Sequence, residues 1–265
     1  MKRTGSRRSF LHALTAAGLA SGIKPPEAAG QTPAPVAQSP LSRTEDGYID
    51  PRKALLYECT RKEIRDRMES GALRTAIVPT ASTEQHNEHL AMVMDTAGVL
   101  LVAQQAALRL YPRVIVATPV SIGVSLHWMD RKGTLTLRKE IFQEVVYDIC
   151  DSLRIHGFTS ILILNGHGGN VAPLREKMED FRSRLGIKLE MCSYWDSISA
   201  NQRKEFVDSG VVPGHSAEFE TAIALAAFPD RVRYTGVDYD KAKLTIKSEA
   251  DRKQDREYFA QSKLA

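Results

Sequence analysis

The chain has 265 residues, 43% hydrophobic and 26% charged, the make-up of an ordinary soluble protein with length enough for a substantial core. Its formal charge of +4 resides in residues 1–40, where Lys2, Arg3, Arg7, Arg8 and Lys24 face the single acid Glu27, so the remaining body is formally neutral and gives no electrostatic ground for a nucleic-acid partner. Cys59, Cys150 and Cys192, odd in number and without close spacing, do not make a disulfide framework.

The first 40 residues read as an address and a linker. Ser6-Arg7-Arg8-Ser9-Phe10-Leu11 is similar to the twin-arginine export signal, and the apolar run that follows, Phe10 to Ala20, is too short for stable membrane insertion. Pro33, Pro35 and Pro40 among Ala, Gln and Ser make a linker. A periplasmic or secreted protein is expected, with residues 41–265 as one domain.

Strands and helices then alternate. Residues 52–69 form a charged helical pattern, and 74–79 (RTAIVP) read as a strand. A helix follows from Asp95 to Leu110, then a β-branched strand from Val114 to Val120. Residues 138–156 place Ile141, Phe142, Val145, Val146, Ile149 and Leu153 on one helical face, with Gly157 as the stop. The continuous apolar run Ile161 to Leu164 suits a strand buried on both faces. Helices over 172–185, ended by Gly186, and 217–228, ended by Pro229, bracket a strand over 187–193. This order predicts an α/β fold, a single three-layer domain with a mainly parallel sheet flanked by helices.

In such sheets the chemistry lies beyond the carboxyl ends of the strands. Three polar clusters fall there: Thr83-Glu84-Gln85-His86-Asn87-Glu88-His89 with Asp95 nearby, Asn165-Gly166-His167-Gly168-Gly169-Asn170, and His215-Ser216-Ala217-Glu218-Phe219-Glu220-Thr221. Carboxylates and imidazoles without thiolates are the donor set of an open catalytic site for Zn²⁺, Mn²⁺ or Fe²⁺. Glu84 and His86, two apart, point the same way in an extended segment, and Asp95 at a helix start can be shared by two ions. The glycines around His167 allow close backbone approach, and Asn170 is expected to cap the next helix. Trp128, beside His127, and Trp195 are candidates for the pocket wall.

The run VPTASTEQHNEHLAMVMD resembles the first signature of the creatininase (creatinine amidohydrolase) family, NGHGGN its second and GHSAEFET its third, and SLHWMDRKGTLTL is similar to the stretch between. The resemblance spans residues 50–265 and implies a creatininase-like metallohydrolase with two divalent ions, zinc foremost, with manganese or iron as alternatives. It implies Glu84 and His167 on one metal, His86 and Glu218 on the other, and Asp95 between them. A metal-bridging water would be the nucleophile, and His215 the proton donor, with Glu218 counted beside it in the catalytic set. The family also implies a homo-oligomer and a small-molecule substrate whose carbon–nitrogen bond is cleaved, such as a small cyclic amide.

Departures bear on the substrate. Where creatininase proper has a glutamate two residues after the second-motif histidine, this chain has Gly169, so the ligand role passes to Glu218 and creatinine itself is disfavoured. Asn87-Glu88 and Ser216-Ala217 replace the family's Gly-Pro and Ala-Gly. The chain ends at Ser262-Lys263-Leu264-Ala265, where the family continues into another helix, so the domain is expected to be truncated. A deformylase, peptide-trimming enzyme or cyclic ketone hydrolase on the same scaffold, or an exported binding protein impaired in catalysis, are the alternatives.

Overall fold

A computed structural model describes residues 43–44 and 47–233. The leader and the chain end read above lie outside the described residues.

The centre is one four-stranded sheet, β1 (Thr75–Thr80), β2 (Val114–Val116), β3 (Ser160–Asn165) and β4 (Lys188–Ser193), in the order β2-β1-β3-β4 with every pair parallel. Among the described residues six α-helices surround it: α1 (Arg61–Glu69), α2 (Met94–Arg109), α3 (Lys139–Ile155), α4 (Val171–Leu185), α5 (Ala200–Phe206) and α6 (Glu218–Ala227). The expected single α/β domain with a helix-flanked parallel sheet is what the chain forms.

Strand alternation sorts the core into two layers. Ala76, Val78, Ile115, Ile161, Ile163 and Leu189 face one side, where Phe142, Val146 and Leu153 of α3 and Leu174 and Phe181 of α4 pack. Ile77, Val114, Val116 and Leu164 face the other, against Val99, Ala103 and Ala107 of α2 and Phe219, Ile223 and Ala224 of α6. On α3 the buried stripe is Phe142, Val146, Cys150 and Leu153, while Ile141 and Val145, expected on the same face, are exposed, because each lies about 100° round the helix from its buried neighbour.

Helix ends follow local chemistry. Gly157 (φ +97°) and Gly186 (φ +62°) take the left-handed conformation that stops α3 and α4. The 52–69 pattern divides: tight turns at Pro51–Ala54 and Leu56–Glu58 precede α1, which starts at Thr60 through a capping box with Glu63. The strand expected over 114–120 is regular only to Val116; Ala117 and Val120 still donate to the Ile77 and Pro79 carbonyls of β1, with Pro119, which has no N–H, between them. Unforeseen in the sequence, α5 begins with another capping box, Ser199 with Gln202.

Going from β1 to β2 the chain moves outward on one side, and from β2 to β3 it crosses to the other side of β1. That reversal leaves a crevice at the carboxyl ends of β1 and β3, where the first two polar clusters leave the sheet.

Candidate metal centre

Five ionisable side chains are sunk into this crevice: Glu84, His86, Asp95, His167 and Glu220, none more than 5% exposed. Glu84 and His86 come from the loop after β1, Asp95 from the first turn of α2, His167 from the loop after β3 and Glu220 from the first turn of α6. Buried charge at this density requires pairing or a metal.

The distances place them in one cluster. His167 Nδ1 lies 2.9 Å from Asp95 Oδ2 and 3.3 Å from Glu84 Oε1. His86 Nε2 lies 3.1 Å from Asp95 Oδ1 and 3.7 Å from Glu220 Oε2. Asp95 therefore sits between the two imidazoles, one oxygen toward each.

The far nitrogens decide the proton positions. His167 Nε2 donates to the Val124 carbonyl at 3.1 Å, and His86 Nδ1 to the Glu84 carbonyl at 3.1 Å; a carbonyl only accepts, so these nitrogens carry the hydrogens. The inner nitrogens thus turn lone pairs toward carboxylates, an arrangement that needs a cation between. Glu84 Oε2 and Asp95 Oδ2 are buried without a hydrogen bond. Lone pairs and orphaned carboxylate oxygens converging in a buried space fit a divalent cation, and second partners that fix each histidine tautomer are what metal-binding imidazoles ordinarily have.

Without a metal, protons take that place. Burial opposes charge on His86, but the carboxylates of Asp95, Glu220 and Glu84 outweigh it and raise its pKa to about 9. Burial likewise opposes charge on His167, and Glu84 and Asp95 push its pKa well above the usual imidazole value. Burial resists ionisation of Glu84 and Asp95 too, yet the imidazoles hold both low, His167 chiefly for Glu84 and His86 for Asp95. Glu220 goes the other way: burial raises it to about 8, despite His86.

Among the described residues, three groups have ligand atoms mutually within 4.8 Å, namely His86 with Asp95 and Glu220, Glu84 with His86 and His215, and Glu84 with His127 and His167. Of the residues proposed from the sequence, Glu84, His86, Asp95, His167 and His215 come together here. Glu218 does not. Its carboxylate accepts the N–H groups of Asp208 and Ser209 at 2.9 and 2.8 Å, outside the cluster, and Glu220 occupies the place expected of it. The sequence signal for Glu220 is its spacing, since Glu220, Ile223 and Ala224 share the buried face of α6.

Neighbouring polar groups hold this arrangement. Asn165, at the end of β3, accepts from the Thr80 hydroxyl (3.1 Å) and the His167 N–H (3.2 Å) and donates to the His167 carbonyl (2.7 Å) and Ser193 (3.2 Å). Asn170 does not cap α4 with its side chain as expected. It accepts from Val124 N–H at 2.9 Å and donates to the Ala81 carbonyl at 3.1 Å, pinning two site loops. Asn87, where the resemblance has glycine, adopts φ +55°, a conformation asparagine tolerates.

His215 stands at the cavity edge. Gln85 accepts from the Asn87 N–H, which orients its amide so that Nε2 donates to His215 Nε2 at 2.8 Å, leaving His215 Nδ1, 3.4 Å from Glu84, to carry the hydrogen. Trp128 stacks on His215 at 4.5 Å, and with Trp195 and Pro213 it lines a cavity of about 240 Å³ over the cluster. Both tryptophans singled out in the sequence thus face the site.

Comparison with known proteins agrees with this geometry. The family model described as Creatininase, creatinine amidohydrolase, matches residues 57–262. The chain is 27% identical over 200 residues to creatinine amidohydrolase of Pseudomonas putida (68% of this chain, 74% of that protein). It is 29% identical over 175 residues to 3-dehydro-scyllo-inosose hydrolase of Thermotoga maritima (64% and 55%), and 28% identical over 114 residues to mycofactocin precursor peptide peptidase of Mycobacterium ulcerans (40% and 45%). It thus spans about half the length of the latter two. Among solved structures, one described as creatininase Mn superposes with TM-score 0.62 at 25% identity, covering 68% of this chain and 75% of that one. A mutant creatininase of Zn-Zn type superposes with TM-score 0.63 at 22% identity, covering 77% and 93%.

Proposed function

The chain belongs to the creatininase family, and from that premise we propose that it is a hydrolase that holds two divalent cations and cleaves a carbon–nitrogen bond in a small cyclic amide or related compound. The observation that carries the reading is Asp95, one oxygen toward the lone pair of His86 and the other toward that of His167. Glu84, Asp95 and His167 would hold one cation and His86, Asp95 and Glu220 the other, with zinc or manganese the leading candidates.

When bound, such ions supply Lewis acidity toward a carbonyl and acidify water near neutral pH. The chain's own groups do the rest. Trp128 and Trp195 give a planar ring apolar walls and restrict water. His215, held by Gln85 and stacked on Trp128, turns Nδ1 toward Glu84 at the cavity, where it would relay to a leaving nitrogen the proton that the attacking water gives up.

A different scissile bond on the same site is the second reading, favoured by relatives of similar identity that are named as a different hydrolase and as a peptidase. Purified protein should contain about two ions per chain, and His167→Ala should lose metal and turnover together. A panel of lactams, formamides, cyclic ketones and short peptides separates the readings, and metal without turnover on any member would overturn the enzymatic one. Export through the twin-arginine-like Ser6 to Leu11 segment belongs to the same proposal.

A further inference from the structure

The crevice holds an imidazole, His127, that neither the ligand assignment nor the proton-transfer role uses. His127 lies in the short turn Leu126–Trp128, exposed at the mouth of the cavity. A ring nitrogen of His127 is nevertheless within 4.8 Å of ligand atoms of both Glu84 and His167. Its ring runs nearly parallel to that of His167, 11° apart in plane with centroids 5.7 Å apart, so the two imidazoles stand side by side over the same carboxylate.

Room for this pairing comes from Gly169. A Cβ there would lie 2.1 Å from the Val124 carbonyl, 2.5 Å from His167 Nε2 and 2.9 Å from His127 Cε1. Any side chain at 169 would displace the imidazole or the strut that orients His167. A histidine that merely decorated the rim would not need that clearance against a buried, tautomer-fixed neighbour.

We propose that His127 is a ligand of the cation held by Glu84, Asp95 and His167, completing that position from the solvent side. The inference rests on the two-cation reading and makes the positions unequal. One has donors from Glu84, Asp95, His127 and His167 and is closed by protein; the other, with His86, Asp95 and Glu220, keeps its open coordination for water and substrate. Reaction and tight retention are thereby assigned to different ions.

The test uses the full chain stripped by a chelator and titrated with Co²⁺, read by visible absorption and by competition with a chromogenic chelator. Wild type should take up two equivalents. In His127→Ala and His127→Gln one equivalent keeps its affinity while the other weakens by roughly tenfold or more, with a changed absorption band. Free imidazole should restore that band in His127→Ala, which loss of a structural contact would not produce. Two equivalents of unchanged affinity and spectrum in both variants would overturn the ligand role while leaving two cations in place. A single equivalent in wild type would overturn the two-cation reading itself.

Discussion

Glu218 and Glu220 share the first turn of α6 but not its faces, since two residues rotate about 200° around a helix. Glu220 turns into the cluster beside His86, and Glu218 turns out to hold the 208–209 backbone. Glu220→Gln should therefore remove bound metal and activity, as measured by elemental analysis and turnover. Glu218→Gln should keep its metal and lose only about 1–2 kcal/mol of stability in denaturant titration, the worth of charge-assisted bonds to backbone. Reading along the sequence, both acids follow His215 in one motif, and resemblance alone chose the nearer. The pairing of Glu220 with Ile223 and Ala224 on one helical stripe was present in the sequence and gave the other answer. A lone loop histidine such as His127 carries no periodic signal; it enters only through the folding of three distant segments against Gly169.

The elements that aim these side chains are the ends of β1 and β3, locked by register as well as by side chains. Thr80 pairs with Asn165, and Asn165 spends its amide on the backbone on both sides of His167. Asn165→Ala removes that buried bracket on the His167 backbone while leaving every ligand side chain in place. It should cost about 1–3 kcal/mol in chemical denaturation and weaken metal binding in chelator competition by roughly tenfold. Helices α2, α3, α4 and α6 were legible to within a residue or two, because stripe periodicity and the stops at Gly157 and Gly186 are local signals. The strand's early end at Val116 and the side-chain role of Asn170 were not: the β-branched run continues past the regular pairing, and the expected cap was overridden by two backbone partners, Val124 and Ala81, that only the tertiary fold supplies.

At the scale of the whole molecule, alternating strands and helices made the parallel sheet legible, and the crevice followed from strand order, which the sequence does not display. On the proposed reading the cations bind only the assembled crevice, so their removal should act on global stability. At a free concentration a thousand times the dissociation constant, each site adds about 4 kcal/mol. A chelator should then lower the midpoint of thermal unfolding by on the order of ten degrees, and excess Zn²⁺ or Mn²⁺ should return it. A midpoint indifferent to chelator would mean that this buried cluster is held by protons.

The order of the strands carries one more consequence. Glu84, His167 and Glu220 meet only after β3 has been inserted beside β1, across a stretch longer than the loop and helix of β2. A nascent or unravelled polypeptide offers an ion only one local cluster at a time, such as Glu84, His86 and His89. On the two-cation reading, complete ion uptake would then be a late event that certifies a finished sheet, and a ribosome-fresh chain would have to complete its architecture in whichever compartment supplies the metal.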